Sequence, residues 1–585
     1  MHVIATAGHV DHGKSTLVKA LTGAEPDRLE EERRRGLSIE LGYVWTTLPE
    51  AGEVAFVDVP GHEKFLRTML AGVGPVPAVL LVVAADDPWM PQAAEHLAAL
   101  DALGVSHGVV AVTRSDLADP APMLARARDE VARTSLRDAQ VLAVSAATGA
   151  GLDELRTALV ELLGRMPAQD PRTDVRIWAD RAFHARGAGT VVTGTLPAGT
   201  VQVGDRLATG DGTVRVRGVQ ALGTQREQVS GVARVALNVV ADDKVEIERD
   251  TVLVTPDAWH FTTSVDVRVV GDGALPEHPV LHIGATSMQV RARRFDDAHA
   301  RLTLDRALPL RIGDRALLRD PGTRELWGVR VLDPSPPALR RRGASARRAQ
   351  VLADLDDRPS LASELERRGV APADLLRRIG VPVPADADEW LVGDRARRLI
   401  AERMVAVVKA YDDQHPLEPG MALPALARAL RLPSPELVGR LMPQELRLEQ
   451  GRVTATAPRV GLPDAIERGV TAVETDLAQE PFAAPTADRL RELGLHHKAI
   501  AVAARAGRLL DLGDGIVLLP DAASRAAAWL SEIPQPFTTS EARQRLGTSR
   551  RVALPLLAHL DRAGLTTRHA DDRRSTTGHR VAGGA

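Results

Sequence analysis

Gly8-His9-Val10-Asp11-His12-Gly13-Lys14-Ser15-Thr16 has the spacing Gly-x-x-x-x-Gly-Lys-Ser, and its reading decides the fold around it. Backbone N–H groups in such a turn converge on phosphate oxygens. Lys14 reaches the β and γ phosphates of a nucleotide, and Ser15 offers its hydroxyl to Mg²⁺. Val10, Asp11, His12, Gly13, Lys14, Ser15 and Thr16 are therefore the expected phosphate-binding set. The context fits: Val3-Ile4-Ala5 reads as a buried strand entering the loop, and Ser15 to Leu21 as a helix whose N-terminus faces the anion.

The 585 residues exceed what one hydrophobic core organises, so several domains are expected. A composition 44% apolar and 26% charged fits folded domains rather than disorder. The longest purely apolar run, Ala78 to Ala85, suits a buried strand and is far too short to span a bilayer. The N-terminus lacks the basic segment of a signal peptide and runs straight into the phosphate loop, so a cytoplasmic monomer without a membrane partner is expected. Zero cysteines exclude disulfides, thiol nucleophiles and cysteine-ligated zinc or iron–sulfur clusters. Mg²⁺ with the nucleotide is the simplest metal requirement left. The net charge of −3 hides local asymmetry.

A phosphate loop of this kind needs a carboxylate after a second buried strand, and Val54-Ala55-Phe56-Val57-Asp58-Val59-Pro60-Gly61 supplies it in Asp58, expected to hold Mg²⁺ through water. Gly61 has no Cβ to block a γ-phosphate, so its N–H can sense that group. Base choice then rests on an Asp that accepts from the N1 and N2 donors of guanine. Asp116 stands just beyond the apolar strand Val109 to Val112. The usual pattern there is Asn-Lys-x-Asp, and Thr113 and Arg114 depart from it, although Arg114 can lay its stem and planar head along the base. Ser145-Ala146-Ala147, after the strand Val141 to Val144, completes the guanine pocket in order.

With Arg35-Gly36-Leu37-Ser38-Ile39 and Asp58-Val59-Pro60-Gly61-His62 added, the set resembles the GTPase domain of translational GTPases of the elongation-factor-Tu type. Ile39-Glu40-Leu41-Gly42-Tyr43 and Pro60 to Gly72 are similar to the SelB-type selenocysteine-specific elongation factors of bacteria, and the likeness runs over essentially the whole chain. It implies that His62 orients the hydrolytic water past an apolar gate of Val10 and Leu37. It also implies that Ser38, in place of the family's threonine, gives Mg²⁺ a switch hydroxyl. Serine keeps the oxygen and loses the methyl that helps fix χ1, so a looser switch is expected.

The resemblance divides the chain into a GTPase domain at 1–170, β-barrels at 171–257 and 258–335, and winged-helix modules at 340–395, 396–460, 461–522 and 523–580. The fold class expected is thus an α/β P-loop domain, two β-barrels and four α+β winged helices. The texture of the sequence agrees. Beyond the proline-bearing linker Met166 to Arg172, short strands are broken by glycine. Beyond Pro334-Ser335-Pro336-Pro337, paired amphipathic helices have turns at Gly369, Arg431, Gly494 and Gly547. Asp180, Arg181 and Arg234 fall where the family reads the aminoacyl group. Two guanidiniums there would favour a selenolate over a neutral serine. Local sequence alone leaves both arginines equally open to a surface role on the barrel.

Residues 537–585 hold nine Arg against four acidic residues, a local charge of +5. Arg550 and Arg551 open the second helix of the last helix-turn-helix, and Arg568, His569, Arg573 and Arg574 lie in the expected wing, so helix and wing could grip one phosphate backbone. Ser575 onward reads as a loose end. The function expected is a GTP hydrolase that delivers selenocysteinyl-tRNA to a ribosome halted at UGA while holding a messenger hairpin. The alternatives are a GTP-gated nucleic-acid-binding regulator, or a general tRNA-carrying or initiation-type GTPase.

Overall fold

The computed structural model describes residues 1–26, 40–61, 66–74, 76–187, 189–241, 245–271, 273–356, 358–415, 420–455, 462 and 464–577. The expected residues Leu37, Ser38 and His62 lie outside them.

The first 170 residues form a six-stranded sheet of β1 (His2–Ala7), β2 (Gly42–Leu48), β3 (Gly52–Asp58), β4 (Ala78–Ala84), β5 (His107–Thr113) and β6 (Gln140–Ala143). Helices α1 (Lys14–Thr22), α2 (Leu66–Val73), α3 (Pro91–Ala102), α4 (Ala121–Val131) and α5 (Leu152–Arg165) connect and cover it. The strand order is β2-β3-β1-β4-β5-β6, antiparallel only between β2 and β3. Strand residues alternate between two cores. Val3, Val57, Val79, Leu81, Val110 and Val112 pack with α2, α3 and α4, whereas Ile4, Phe56, Leu80, Val82, Val109 and Ala111 pack with α1 and α5. Burial on both faces explains why β4 is the unbroken apolar run Ala78-Val79-Leu80-Leu81-Val82-Val83-Ala84. The functional loops leave the carboxyl ends of β1, β3, β5 and β6, the edge where parallel sheets present ligands.

The strands of 176–254 follow the path Arg176–Trp178, Val252–Val254, Arg206–Ala208, Thr213–Ala221, Ala233–Ala241, Gly189–Leu196, Arg181–Ala185. The sheet curls until its first strand meets Gly194. A Cβ on Gly194 would lie 2.7 Å from the Trp178 carbonyl oxygen, so glycine allows that approach. In the next segment hydrogen bonds close the ring completely. Phe261–Val270, His299–Pro309, Thr286–Arg294, Val280–Ile283, Arg315–Arg319 and Leu326–Asp333 make a six-stranded barrel around buried Trp327.

The helices Ala344–Ala353, Leu361–Arg368 and Ala373–Arg378, with the hairpin Val370–Pro372 and Trp390–Val392, follow the barrel and are tied to it by buried charge. Arg348 donates at 2.6 Å to Asp266 and at 2.6 Å to Asp333, both carboxylates 0% exposed. Arg368 reaches Asp333 at 2.6 Å and Glu364 at 2.8 Å. Such a network does little for net stability when intact. Losing one partner strands a buried charge at a cost of about 3–5 kcal/mol, which fixes geometry.

The chain divides into two compact units, Met1–Asp394 and Arg395–Ala585. Among the described residues of the second, three helical segments each carry a small sheet: 421–455, then the hairpin Leu510–Asp511 with Val517–Leu518, then Thr566–Arg568 with Arg574–Thr576. The last two segments share one continuous core from Ile466 to Leu560, with Phe482 edge-on to Trp529 at 5.3 Å. The hydroxyl of Thr548 donates to the Phe482 carbonyl at 2.5 Å.

Candidate nucleotide, aminoacyl and RNA sites

The phosphate loop bends where the sequence can afford it, with Gly8 at φ 134°, Asp11 at φ 65° and Gly13 at φ 80°. Lys14 Nζ folds over the loop, donating to the carbonyls of His9 at 2.7 Å and Gly8 at 3.3 Å. Ser15 Oγ donates to Asp58 Oδ2 at 2.6 Å, and Thr6 Oγ1 donates to Asp58 Oδ1 at 2.7 Å. Asp58 is fully buried, so this hydroxyl–carboxylate pair is a preformed oxygen set of the kind Mg²⁺ takes. A Cβ on Gly61 would stand 2.5 Å from Val10 N and 2.7 Å from the His9 carbonyl carbon, so only glycine leaves the cradle open. The residues present therefore fit a phosphate chain with its metal.

The two departures in the guanine loop hold the phosphate loop from behind. Thr113 Oγ1 donates to the His12 carbonyl at 2.7 Å, and Arg114 donates to the Asp11 carbonyl and to Asp86, the latter at 3.0 Å. Arg114 sits at φ 56°, which turns its head toward Asp11. Asp116, the expected base acceptor, is exposed. Ser145 is buried and uses its hydroxyl to accept the Thr148 N–H at 3.1 Å, setting the turn that carries Ala146 and Ala147. His12 is buried, and burial, with His9 and Lys14 close by, holds its pKa at about 4, so it offers its backbone rather than a charge.

Asp180 and Arg234 meet in a buried ion pair, with Arg234 donating to Asp180 Oδ1 at 2.6 Å. Thr193 Oγ1 donates to the same carboxylate at 2.8 Å. Arg234 lies over the ring of Tyr43, 3.9 Å from its centroid, and Arg181 lies 5.4 Å from it. Arg181 also donates to the Leu41 carbonyl at 2.6 Å and pairs with Glu40 at 2.9 Å. The structure thus brings all three residues together, and it adds Tyr43 from β2, which sequence reasoning missed. Burial pushes the Tyr43 phenol well above its ordinary pKa, keeping it protonated. The signal available was the motif itself, in which Tyr43 directly follows Glu40-Leu41-Gly42.

In the last segment a groove of about 840 Å³ is lined by Arg543, Arg550, Arg568 and Arg573 and also by Asp571 and Asp572, of which Asp572 pairs with Arg568 and Asp571 lies 3.9 Å from Arg573. Here two expectations are corrected. Arg574, read as a phosphate ligand on the wing, is 6% exposed and donates to Asp561 at 2.9 Å, so its charge is used inside the fold. Ser575 and Thr576, read as a loose end, are buried in the strand that Arg574 begins. Arg551 donates to the Pro485 carbonyl at 3.1 Å, and His569 Nε2 shares a 2.8 Å hydrogen bond with Ser575 Oγ.

A phosphate loop, a paired hydroxyl and carboxylate, and a guanine loop at one sheet edge define a GTPase. The family model for the elongation factor Tu GTP binding domain matches residues 1–165, which makes it a translational one. The model for the winged helix of elongation factor SelB matches 528–575. The selenocysteine-specific elongation factor of Escherichia coli (strain K12) is 33% identical across 97% of this chain and 98% of its own, and that of Desulfomicrobium baculatum is 29% identical across 98% and 99%. The chain belongs to the selenocysteine-specific elongation factors. A crystal structure of bacterial selenocysteine-specific elongation factor EF-Sec superimposes with a TM-score of 0.67 over 99% of this chain and all of that one, at 23% identity, showing the same fold. No helix among the described residues is long and apolar enough to cross a membrane.

Proposed function

We propose that this GTPase binds selenocysteinyl-tRNA and a messenger hairpin, and delivers the tRNA to a ribosome halted at UGA with hydrolysis as the release step. The observation that carries this reading is the cluster of Asp180, Arg181, Arg234 and Tyr43. Two guanidiniums, one of them buried, converge beside a phenol on a strand that directly follows the Arg35–Ile39 motif. A selenol ionises near neutral pH and a serine hydroxyl does not; Arg234 is neutralised by Asp180, so Arg181, whose partner Glu40 is exposed and can be exchanged for a selenolate, would separate the correct aminoacyl group from its precursor.

Phosphates would be held by the N–H groups of 10–16 and by Lys14, and guanine by Asp116 and the 145–147 turn. Ser15, Ser38 and, through water, Asp58 would hold Mg²⁺, which when bound neutralises phosphate charge. Gly61 brings its N–H to the γ-phosphate position, and His62, next in the chain, would orient the attacking water. When the γ-phosphate leaves, its contacts to these residues are lost. That change would reach the aminoacyl cluster through Glu40 and Leu41, which Arg181 holds. Arg550, Arg568 and Arg573 would meet the phosphates of the hairpin.

Spontaneous hydrolysis of the selenocysteinyl ester tests the reading. With GTP the protein should slow ester loss strongly, and with GDP it should not. Equal half-lives in the two nucleotide states would overturn it.

A further inference from the structure

Helix α3 turns two adjacent side chains toward two different bodies. His96, 2% exposed, faces the start of the phosphate loop, where the Gly8 N–H donates to its Nδ1 at 3.0 Å. Glu95 faces the closed barrel and pairs with Arg319 at 3.8 Å. The same helix is seated on that barrel at its far end. Arg315 donates to the Leu103 carbonyl at 3.2 Å, and a Cβ on Gly328 would stand 3.1 Å from that of Ala102.

Neither Glu95 nor His96 belongs to the nucleotide-binding set, yet the loop depends on this helix. Gly8 is pressed against β4, where any Cβ would collide with the Val82 carbonyl, and its N–H is buried against the imidazole. Without the imidazole that N–H would be a buried orphan at the root of the phosphate loop. Burial, with Lys14 and His9 behind it, lowers the His96 pKa to about 3. The lone pair on Nδ1 is therefore always available, with the proton on Nε2.

We propose that His96 is a positioning residue for the nucleotide site and that the Arg319–Glu95 pair sets it, so that the seating of the barrel on α3 governs how long guanine nucleotide stays bound. The proposal rests on Gly8–Thr16 being the nucleotide site, which equilibrium binding of GDP to the unaltered protein tests separately. The experiment is dissociation of fluorescent GDP and GTP from the full chain by stopped flow. His96→Leu should speed release about tenfold or more, and His96→Gln, whose amide oxygen can accept the same N–H, should recover most of the loss. Arg319→Ala should speed release about two- to fivefold although it lies on the barrel, and Arg319→Ala with His96→Leu should be no faster than His96→Leu alone. Arg319 and Glu95 are only about one-fifth exposed, so Glu95→Gln, which removes the charge and keeps the shape, is measured beside Arg319→Ala and should speed release by a similar factor. Release at the unaltered rate in Arg319→Ala, or independent effects that multiply in the double variant, would overturn the proposal.

Discussion

Arg234 lies 3.9 Å above the ring of Tyr43 while donating to Asp180, so one guanidinium joins a strand of the second segment to β2 of the GTPase domain. The strand that carries Tyr43 pairs with β3 and sets Gly42 opposite Asp58, so the proposed aminoacyl cluster lies one strand away from the proposed Mg²⁺ carboxylate.

Removing that guanidinium leaves Asp180, whose side chain is 2% exposed, without its cation. Arg234→Ala should cost about 3–5 kcal/mol in denaturant unfolding of the first unit, and Asp180→Asn with Arg234→Met should recover most of it. A loss below about 1 kcal/mol would mean that the pair is solvated rather than buried.

Thr113 replaces the usual asparagine and keeps a hydrogen bond to the His12 carbonyl. Thr113→Val should weaken GDP binding by about 1 kcal/mol in calorimetric titration, whereas Thr113→Asn should hold it near the original value. Asp116→Asn should cost considerably more, because it places an amide donor against the guanine donors.

His282, buried in the strand Val280–Ile283, has its pKa lowered to about 4, first by burial and then by Arg319 and Arg67. The unfolded chain takes up this proton near pH 6.5 and the folded one does not, so stability is complete above pH 6.5 and falls as the pH drops toward 4. From pH 7 to pH 5 the unaltered protein should lose about 2 kcal/mol more than His282→Gln. Parallel pH profiles in unfolding experiments would contradict the burial.

Two neighbouring groups of arginines in the last segment should separate cleanly. Arg550→Ala should lower the slope of log affinity against log salt for the messenger hairpin by about one and leave melting unchanged. Arg574→Ala should lower the melting temperature instead, because Asp561 loses its partner. The reverse pattern would exchange their roles.

Sequence showed the chemistry that is local and hid what topology assembles. Gly8 to Thr16, Asp58 and Asp116 announce themselves because each motif is a few residues long and sits at a strand end. The unbroken apolar β4 and the two alternating cores follow from side-chain period alone. His96 and Arg319 have their partners far away in sequence, and no local pattern marks them; Tyr43 stands inside a recognisable motif, but its place beside Arg181 and Arg234 is set by the second segment. Arg573 and Arg574 are identical as letters. Only the hairpin register, with Arg574 opposite Arg568, turns one toward solvent and the other onto Asp561. Asp266, Asp333 and Arg348 carry no local mark of burial, because nothing in composition says that a helix will close over them.

The central claim is discrimination by the Asp180, Arg181, Arg234 and Tyr43 cluster. Its most direct test is the affinity of the GTP-bound protein for selenocysteinyl-tRNA and for seryl-tRNA on the same tRNA body. Tighter binding of the selenocysteinyl form, with the preference lost in Arg181→Ala, is the predicted result. Equal affinities would contradict the account.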